Sequence, residues 1–208
     1  MNTLVLATGN AGKIRELSAL LTSLQPDIHV LGLKDFPELG NIAETGSTFE
    51  ENARIKACAV AKATGLVAIA DDSGLVVPAL HGAPGVHSAR YSGPEATDQT
   101  NIDKLLLALR DVPQENRGCY FSCVMLARTP GGQELMGCGA WHGVVSTSAA
   151  GHQGFGYDPV FFDPELGITA AQMDPAVKNA RSHRGQALRN LLQGWPEFWT
   201  KASQEGEK

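Results

Sequence analysis

The segment Thr8–Lys13, TGNAGK, joins a short apolar run to a helical pattern and ends in a lysine. The first N–H groups of a helix have no partner within it and bind anions readily. Gly9 and Gly12 would permit close backbone approach and positive φ angles, and Lys13 adds a charge suited to phosphate. Ile14 stands where a Walker A loop has its Mg²⁺-binding Ser or Thr. The segment predicts a phosphate-binding loop or, equally, a tight turn with a solvated lysine.

Two adjacent carboxylates, Asp71 and Asp72, follow the apolar run Leu66–Ala70. Charges at the end of a buried strand are costly unless they serve a ligand, and ligands of open α/β sheets lie at the carboxyl ends of strands. Neighbouring residues of an extended chain point to opposite faces, so we expect one of the two to face a site. They could be a Mg²⁺ ligand, a general base or both, or form a capping turn.

Glu44 and Lys56 lie on either side of the predicted start of a helix at Thr48. Glu44 could be a second oxygen ligand for a metal near Asp72, although a solvated loop residue is the usual reading. From spacing alone, Lys56 is more typical of a surface lysine whose stem covers apolar surface.

A second group of candidates lies late in the chain. Phe155–Asp158, FGYD, is a glycine-flanked aromatic loop that could stack on a base or merely cover a sheet edge. Lys178, His183 and Arg184 offer hydrogen-bond donors for carbonyl or phosphate oxygens, or they cap a helix.

The hydrophobic pattern predicts a mixed α/β fold with a central sheet flanked by helices. Thr48 and Glu51 form a capping box for a helix that ends at Gly65. The pattern also predicts strands at Leu4–Ala7, Ile28–Leu33 and Leu66–Ala70, and a hairpin formed by Cys119–Arg128 and Gln133–Val145. Further helices are predicted from Ile14 to a stop at Pro26, over Thr97–Leu109, within Thr169–Asn179 and over His183–Leu192. Leu75–Leu80 would be extended or a short helical piece, and His81–Gly93 and Gly151–Phe162 would be loops. We expect one domain over residues 1–200 and a polar tail over 201–208.

Composition narrows the class of protein. The net charge of −5 argues against a general nucleic-acid partner, and no apolar run is long enough to span a bilayer. The start of the chain does not resemble a signal peptide. Cys119 and Cys123 would face one side of a strand as buried free thiols. These features predict a cytoplasmic protein without a membrane or nucleic-acid partner.

Six segments, in order along nearly the whole chain, resemble the inosine triphosphate pyrophosphatase family, and in particular its bacterial members. They are ATGNAGKIREL (7–17), ETGSTFEENARIKA (44–57), AIADDSGL (68–75), GAPGVHSARYSG (82–93), GFGYDPVFF (154–162) and KNARSHRGQAL (178–188). The resemblance implies an elongated mixed sheet, two lobes with the active-site cleft between them, and a homodimer. It also implies Mg²⁺-dependent hydrolysis of ITP, dITP and XTP to the monophosphate and pyrophosphate, which keeps deaminated purines out of DNA and RNA.

The resemblance also assigns roles by position. Asp72 would accept a proton, and Glu44 and Asp72 would bind the metal. Substrate-binding residues would be Thr8, Gly9, Asn10, Ala11, Gly12, Lys13, Lys56, Ser73, Phe155, Gly156, Tyr157, Asp158, Lys178, His183 and Arg184. Donors in the last three would favour the 6-carbonyl of hypoxanthine or xanthine over the 6-amino group of adenine. Arg181 departs from the family pattern, in which an aliphatic residue is usual.

Two other classes of function remain open from the residues. One is a kinase or a γ-phosphate hydrolase. The absence of a Ser or Thr hydroxyl after Lys13 argues against the P-loop type of such an enzyme. The other is a nucleotide-binding module without catalysis. Bare carboxylates at Asp71 and Asp72 would repel a triphosphate unless a metal intervened, which argues against the module.

Overall fold

The computed structural model describes residues 3–24 and 27–205. Within these residues the chain forms seven strands and six α-helices. The strands are β1 Thr3–Leu6, β2 His29–Gly32, β3 Val67–Val76, β4 Gly118–Arg128, β5 Glu134–Val145, β6 Phe161–Asp163 and β7 Ile168–Thr169. The helices are α1 Ala11–Leu24, α2 Phe49–Thr64, α3 Asp98–Ala108, α4 Pro175–Arg181, α5 His183–Gln193 and α6 Trp195–Glu205.

The strands form one sheet in the order β2-β1-β3-β4-β5-β6-β7. β1 is parallel to both β2 and β3, whereas β6 is antiparallel to β5 and β7. The sheet is therefore mixed, and the predicted α/β class is confirmed.

The chain divides into two compact units. Unit 1 comprises Met1–Asp72, Cys123–Gly139 and Arg184–Lys208, and unit 2 comprises Ser73–Ser122 and Ala140–His183. Each unit has buried apolar residues of its own.

In unit 1, alternate residues of β1 pack on different helices. Leu4 and Leu6 join the apolar cluster that contains Leu17 and Leu21 of α1 and part of α5. Val5 belongs to a second cluster with the alanines of α2. Both faces of β1 are thus buried, which explains why its sequence shows no polar alternation. In unit 2 the buried cluster combines α3 with aromatic side chains of β4, β5 and β6.

Helix α2 begins and ends as its sequence predicts. The Thr48 hydroxyl accepts a hydrogen bond from the Glu51 N–H, and the Glu51 carboxylate accepts one from the Thr48 N–H. Gly65 follows the last turn with a φ of +67°, in the left-handed region that glycine tolerates. These caps satisfy N–H and C=O groups at both ends of the helix that carries Lys56.

Four expectations about the elements were wrong. Strand β3 does not end at Ala70 but continues to Val76, so that Asp71 and Asp72 lie inside it. The expected loop His81–Gly93 contains a 3₁₀ helix over Gly85–Arg90. The expected loop Gly151–Phe162 contains a 3₁₀ helix over Asp158–Val160 and the first residues of β6. A third late helix, α6, follows α5 and includes residues 201–205.

The predicted helix stop at Pro26 and residues 206–208 lie outside the described residues. Among the helices of residues 3–24 and 27–205, none is long and apolar enough to cross a membrane.

Candidate active site

The edge of the sheet where β1 ends brings two of the predicted segments together. Leu6 pairs with Ile69, and the Ala7 N–H donates to the Ile69 carbonyl at 2.8 Å. Thr8 and Asp71 are each two residues beyond this last pair, because β1 and β3 run in parallel. The glycine loop and the carboxylates of β3 therefore lie side by side, just beyond the C-terminal end of β1.

The loop over Thr8–Lys13 is held by its own polar side chains. The Thr8 hydroxyl accepts a hydrogen bond from the Asn10 N–H at 3.2 Å, and Asn10 Oδ1 accepts one from the Lys13 N–H at 3.1 Å. Asn10 thus caps the start of α1. Neither Gly9 nor Gly12 has a positive φ, so the loop does not use that freedom of its glycines. A Cβ on Gly9 would have no neighbour within 4 Å, which leaves close approach of a ligand as its use.

Asp71 is buried between two cations of unit 1. Lys13 Nζ lies 2.8 Å from Asp71 Oδ2, and Arg184 Nε lies 3.5 Å from the same oxygen. Arg184 also pairs with Glu16 of α1. Burial alone would raise the pKa of Asp71, but the charges of Lys13 and Arg184 outweigh it and hold that pKa well below its usual range. Asp71 is therefore ionised throughout the neutral range.

Asp72 has different partners, as opposite side-chain directions in a strand predict. Lys56 Nζ lies 3.5 Å from Asp72 Oδ1 and 2.6 Å from Glu44 Oε1, and it also donates to the Asp71 carbonyl at 2.7 Å. Burial, with a smaller contribution from Glu44, raises the pKa of Asp72 against the opposing effect of Lys56 and Lys13. A raised pKa makes this carboxylate a better proton acceptor. Lys56 is thus buried beside Glu44 and Asp72, and the interpretation of it as a surface lysine was wrong.

Asn52 is a member of this cluster that the sequence interpretation missed. Its Nδ2 donates to Asp72 Oδ2 at 3.0 Å, and its Oδ1 accepts from the Gly46 N–H at 2.8 Å. It is fully buried and ties Asp72 to the segment that carries Glu44. One signal was available, because Asn52 precedes Lys56 by four residues on α2 and so shares its face.

Two carboxylates of the site present the oxygen donors that Mg²⁺ prefers. Glu44 and Asp72 supply hard carboxylate oxygens, and both already flank one cation, the Lys56 ammonium. In the part of the chain that the structure describes, no three His, Cys, Asp or Glu side chains form a group that could hold a metal ion. Mg²⁺ commonly takes only one or two carboxylates and completes its shell with water and phosphate oxygens, so the residues present fit it.

In unit 2, Asp158 joins the predicted aromatic loop to Lys178. Its buried Oδ2 accepts hydrogen bonds from the Phe155 N–H at 2.8 Å and from Lys178 Nζ at 2.6 Å. The Lys178 ammonium also lies 5.2 Å from the centroid of the Phe155 ring. Three of the predicted nucleoside-binding residues therefore form one connected group.

The same loop borders a cavity of about 580 Å³ within unit 2. Its lining includes Phe155, Gly156 and Asp98, and Asp98 Oδ2 accepts a hydrogen bond from the Gly156 N–H at 2.7 Å. This volume is within the range of small-molecule sites. Asp98 was not among the predicted residues.

Other predicted residues have contacts of their own. The Tyr157 hydroxyl donates to the Ser88 carbonyl at 2.9 Å, and the ring is buried, which raises the pKa of Tyr157. The His183 ring stacks on Phe121 with a centroid distance of 4.7 Å. Ser73 is half-buried in β3. Arg184 belongs to unit 1 and contacts Asp71 there, while Lys178 and His183 belong to unit 2.

Arg181, the departure from the family pattern, is paired with carboxylates of unit 2. Its Nε lies 2.9 Å from Asp163 Oδ2, and its Nη2 lies 2.6 Å from Glu165. Asp163 also accepts a hydrogen bond from the Trp141 indole at 3.1 Å. These contacts attach the end of α4 to the sheet.

Known proteins resemble this chain over nearly its whole length. The model of the Ham1 family matches residues 4–194. The chain belongs to the Ham1 family. A curated relative from Nitratidesulfovibrio vulgaris, named dITP/XTP pyrophosphatase, is 54% identical over 95% of this chain and 97% of its own. One of the same name from Pectobacterium atrosepticum is 54% identical over 92% of this chain and 97% of its own.

Solved Ham1 proteins have the same fold. The protein from Coxiella burnetii superimposes with a TM-score of 0.85 at 44% identity, covering 95% of this chain and all of the other. The Staphylococcus aureus Ham1 protein gives a TM-score of 0.79 at 40% identity over 99% of this chain and all of its own. The predicted resemblance and fold class are thereby confirmed for this Ham1 protein.

Proposed function

We propose that this chain hydrolyses dITP, XTP and ITP to the nucleoside monophosphate and pyrophosphate. The observation that carries the proposal is the cluster of Lys13, Lys56, Glu44 and Asp72 in unit 1 of a chain 54% identical to curated dITP/XTP pyrophosphatases. Such hydrolysis would remove deaminated purine nucleotides before they enter DNA or RNA.

The residues of unit 1 have distinct tasks in this proposal. Lys13 and the first N–H groups of α1 bind phosphate oxygens through charge and hydrogen bonds. Asp72 orients the attacking water and accepts its proton, aided by the burial that raises the pKa of this carboxylate. Asn52 fixes the Asp72 carboxylate, and Lys56 offsets its charge. Attack on the α-phosphorus releases pyrophosphate.

We also propose that the reaction depends on Mg²⁺, which Glu44 and Asp72 would hold. Bound there, the ion would neutralise phosphate charge and stabilise the pyrophosphate that leaves. Glu44 and Asp72 converge on the Lys56 ammonium, so two carboxylates are already oriented toward one cation.

The base would be recognised in unit 2. Phe155 offers a ring for stacking, and Lys178 offers a cation that Asp158 holds beside that ring. A donor near the 6-position favours the carbonyl of hypoxanthine and xanthine over the amino group of adenine.

The homodimer and the cytoplasmic location stay predictions. Analytical ultracentrifugation would check whether the chain forms a dimer.

The proposal is tested by product analysis. ITP, XTP, dITP, GTP and ATP are each incubated with the protein, with and without Mg²⁺. We expect monophosphate and pyrophosphate from the first three, with Mg²⁺ only. Diphosphate and phosphate would instead indicate a γ-phosphate hydrolase, and binding without turnover would indicate a nucleotide-binding module. Asp72→Asn should abolish turnover without changing the circular dichroism spectrum, and near-normal activity would remove Asp72 from its role.

A further inference from the structure

Asp71 is a fully buried carboxylate for which the proposed reaction has no task. Its side chain has no exposed surface, and Lys13 and Arg184 approach one oxygen of it from α1 and α5. Its backbone carbonyl accepts a hydrogen bond from the Lys56 ammonium at 2.7 Å. One residue therefore contacts three cations, all of which the family resemblance places at the substrate.

The position of the carboxylate separates Asp71 from its neighbour Asp72. Asp72 lies beside Glu44, Lys56 and Asn52, whereas the Asp71 carboxylate lies between Lys13 and Arg184. One oxygen of Asp71 is held by two cations, the nearer at 2.8 Å, whereas Asp72 has one cation at 3.5 Å, so proton transfer or metal binding at Asp71 would displace more and closer buried ion pairs than at Asp72.

A buried anion suits a different task. Lysine has a long, flexible side chain with three donor hydrogens, and Asp71 can accept one of them while the others are directed elsewhere. A guanidinium presents five donors in a fixed plane, so anchoring Nε on Asp71 also fixes the direction of the remaining donors of Arg184. The carboxylate thus limits the orientations of both cations, whose net charge it also reduces.

We propose that Asp71 is a positioning residue that holds Lys13 and Arg184 in the orientation required for reaction of the bound triphosphate. This inference rests on the proposed pyrophosphatase function. It is distinct from an effect of charge alone, because removing a negative charge beside Lys13 should strengthen phosphate binding. Loss of positioning should instead lower kcat, since small misplacements of a contacting group slow reactions strongly.

The test compares Asp71→Asn, Lys13→Met and the double variant in steady-state hydrolysis of ITP. We expect Asp71→Asn to lower kcat by roughly 100-fold, while KM stays unchanged or falls. In the Lys13→Met background the same substitution should lower kcat by only about 3-fold, because the partner it positions is gone. An equal loss of kcat in both backgrounds, or a raised KM with normal kcat, would overturn the proposal.

Two further variants guard against a merely structural effect. Asp163→Asn removes another buried, arginine-paired carboxylate in unit 2, and its effect should be the same with and without Lys13→Met. Asp71→Glu keeps the charge, and so the compensation of both cations, but moves the carboxylate by one methylene. We expect it to fold and to lose kcat as Asp71→Asn does. Wild-type kinetics for Asp71→Glu would overturn the proposal even if Asp71→Asn did not fold.

A binding measurement separates this inference from the proposed function. If the wild-type chain releases no pyrophosphate from ITP or dITP, the proposed function fails. Calorimetric titration with inorganic pyrophosphate then still tests Asp71. We expect Asp71→Asn to change the Kd for pyrophosphate more in the wild-type background than in the Lys13→Met background, where only its effect on Arg184 and on the local charge remains. The same change in both backgrounds would refute the positioning of Lys13.

Discussion

Lys56 Nζ lies 2.6 Å from Oε1 of Glu44, and the ammonium that makes this contact is nearly buried. The pair brings a residue that precedes α2 against the face of α2 itself. Oδ1 of Asp72 lies 3.5 Å from the same Lys56 Nζ. Both proposed metal ligands therefore share one cation of the protein, so the charge of Lys56 and that of a bound metal should compensate for one another.

Lys56→Met should destabilise the fold and make its stability depend on Mg²⁺. Truncating one partner of a buried ion pair costs about 3 kcal/mol in the free energy of unfolding. Without the ammonium, Glu44 and Asp72 repel one another, so Mg²⁺ should bind the folded state and recover part of the loss. Urea unfolding with and without Mg²⁺ measures both effects.

Lys62→Met is the matched control for this prediction, since Lys62 lies exposed on the same helix. Its free energy of unfolding should change by less than about 0.5 kcal/mol, with no added dependence on Mg²⁺. If Mg²⁺ stabilised Lys56→Met no more than the wild type, Glu44 and Asp72 would not be the metal ligands.

Asn52→Ala should lower kcat with little change in KM. The Asn52 amide holds Asp72 and the backbone of Gly46, but the proposal places no substrate contact on it. Loss of a group that orients an active-site carboxylate reduces activity by roughly 10- to 100-fold. Asn101 is a buried asparagine of unit 2 that likewise bonds the backbone, so Asn101→Ala provides the control. Equal activity losses in the two variants would mean that Asn52 acts only through stability.

Lys178→Met should reduce base selectivity more than phosphate affinity. The substitution removes the donor proposed to favour a 6-carbonyl, so the ratio of kcat/KM for ITP to that for ATP should fall by at least about tenfold. Lys104 also lies over an aromatic ring, 4.5 Å from the centroid of Tyr91, but is exposed. Lys104→Met should leave the ratio unchanged. A KM that rose equally for ITP and ATP in Lys178→Met would contradict the base-reading role.

The sequence predicted those parts of the molecule whose cause is local. The capping box at Thr48, the left-handed Gly65 and the strand before Thr8 each follow from residues within a few positions of one another. The family resemblance grouped Glu44 with Asp72, and in the structure both carboxylates form ion pairs with the Lys56 ammonium.

Features that depend on distant partners were missed. Strand β3 continues through two aspartates, against their low strand propensity, because Lys13, Arg184 and Lys56 offset the cost of burying them. No local pattern contains these partners. Helix α6 had a local signal, because Phe198 and Trp199 follow Trp195 at helical spacing, and both rings contact the Trp195 ring. The polar residues around 201–205 concealed that pattern.

Gly154→Ala and Gly156→Ala form a matched pair of changes in the aromatic loop. Both glycines have positive φ, of +78° and +62°, so either alanine should cost roughly 1–2 kcal/mol in backbone strain. A Cβ on Gly154 would also overlap with Asp158 Oδ2 and lie 3.2 Å from Lys178 Nζ, whereas one on Gly156 has no neighbour within 4 Å.

The difference between these two alanine variants isolates the Asp158–Lys178 pair from the conformation of the loop. Overlap with Asp158 must displace the oxygen that receives both the Phe155 N–H and the Lys178 ammonium. We therefore expect Gly154→Ala to lose about 1–3 kcal/mol more than Gly156→Ala in the free energy of unfolding. Its preference for ITP over ATP should also fall, while Gly156→Ala keeps that preference. If both variants kept the same ITP-to-ATP ratio of kcat/KM, the orientation of Lys178 by Asp158 would not determine which base is accepted.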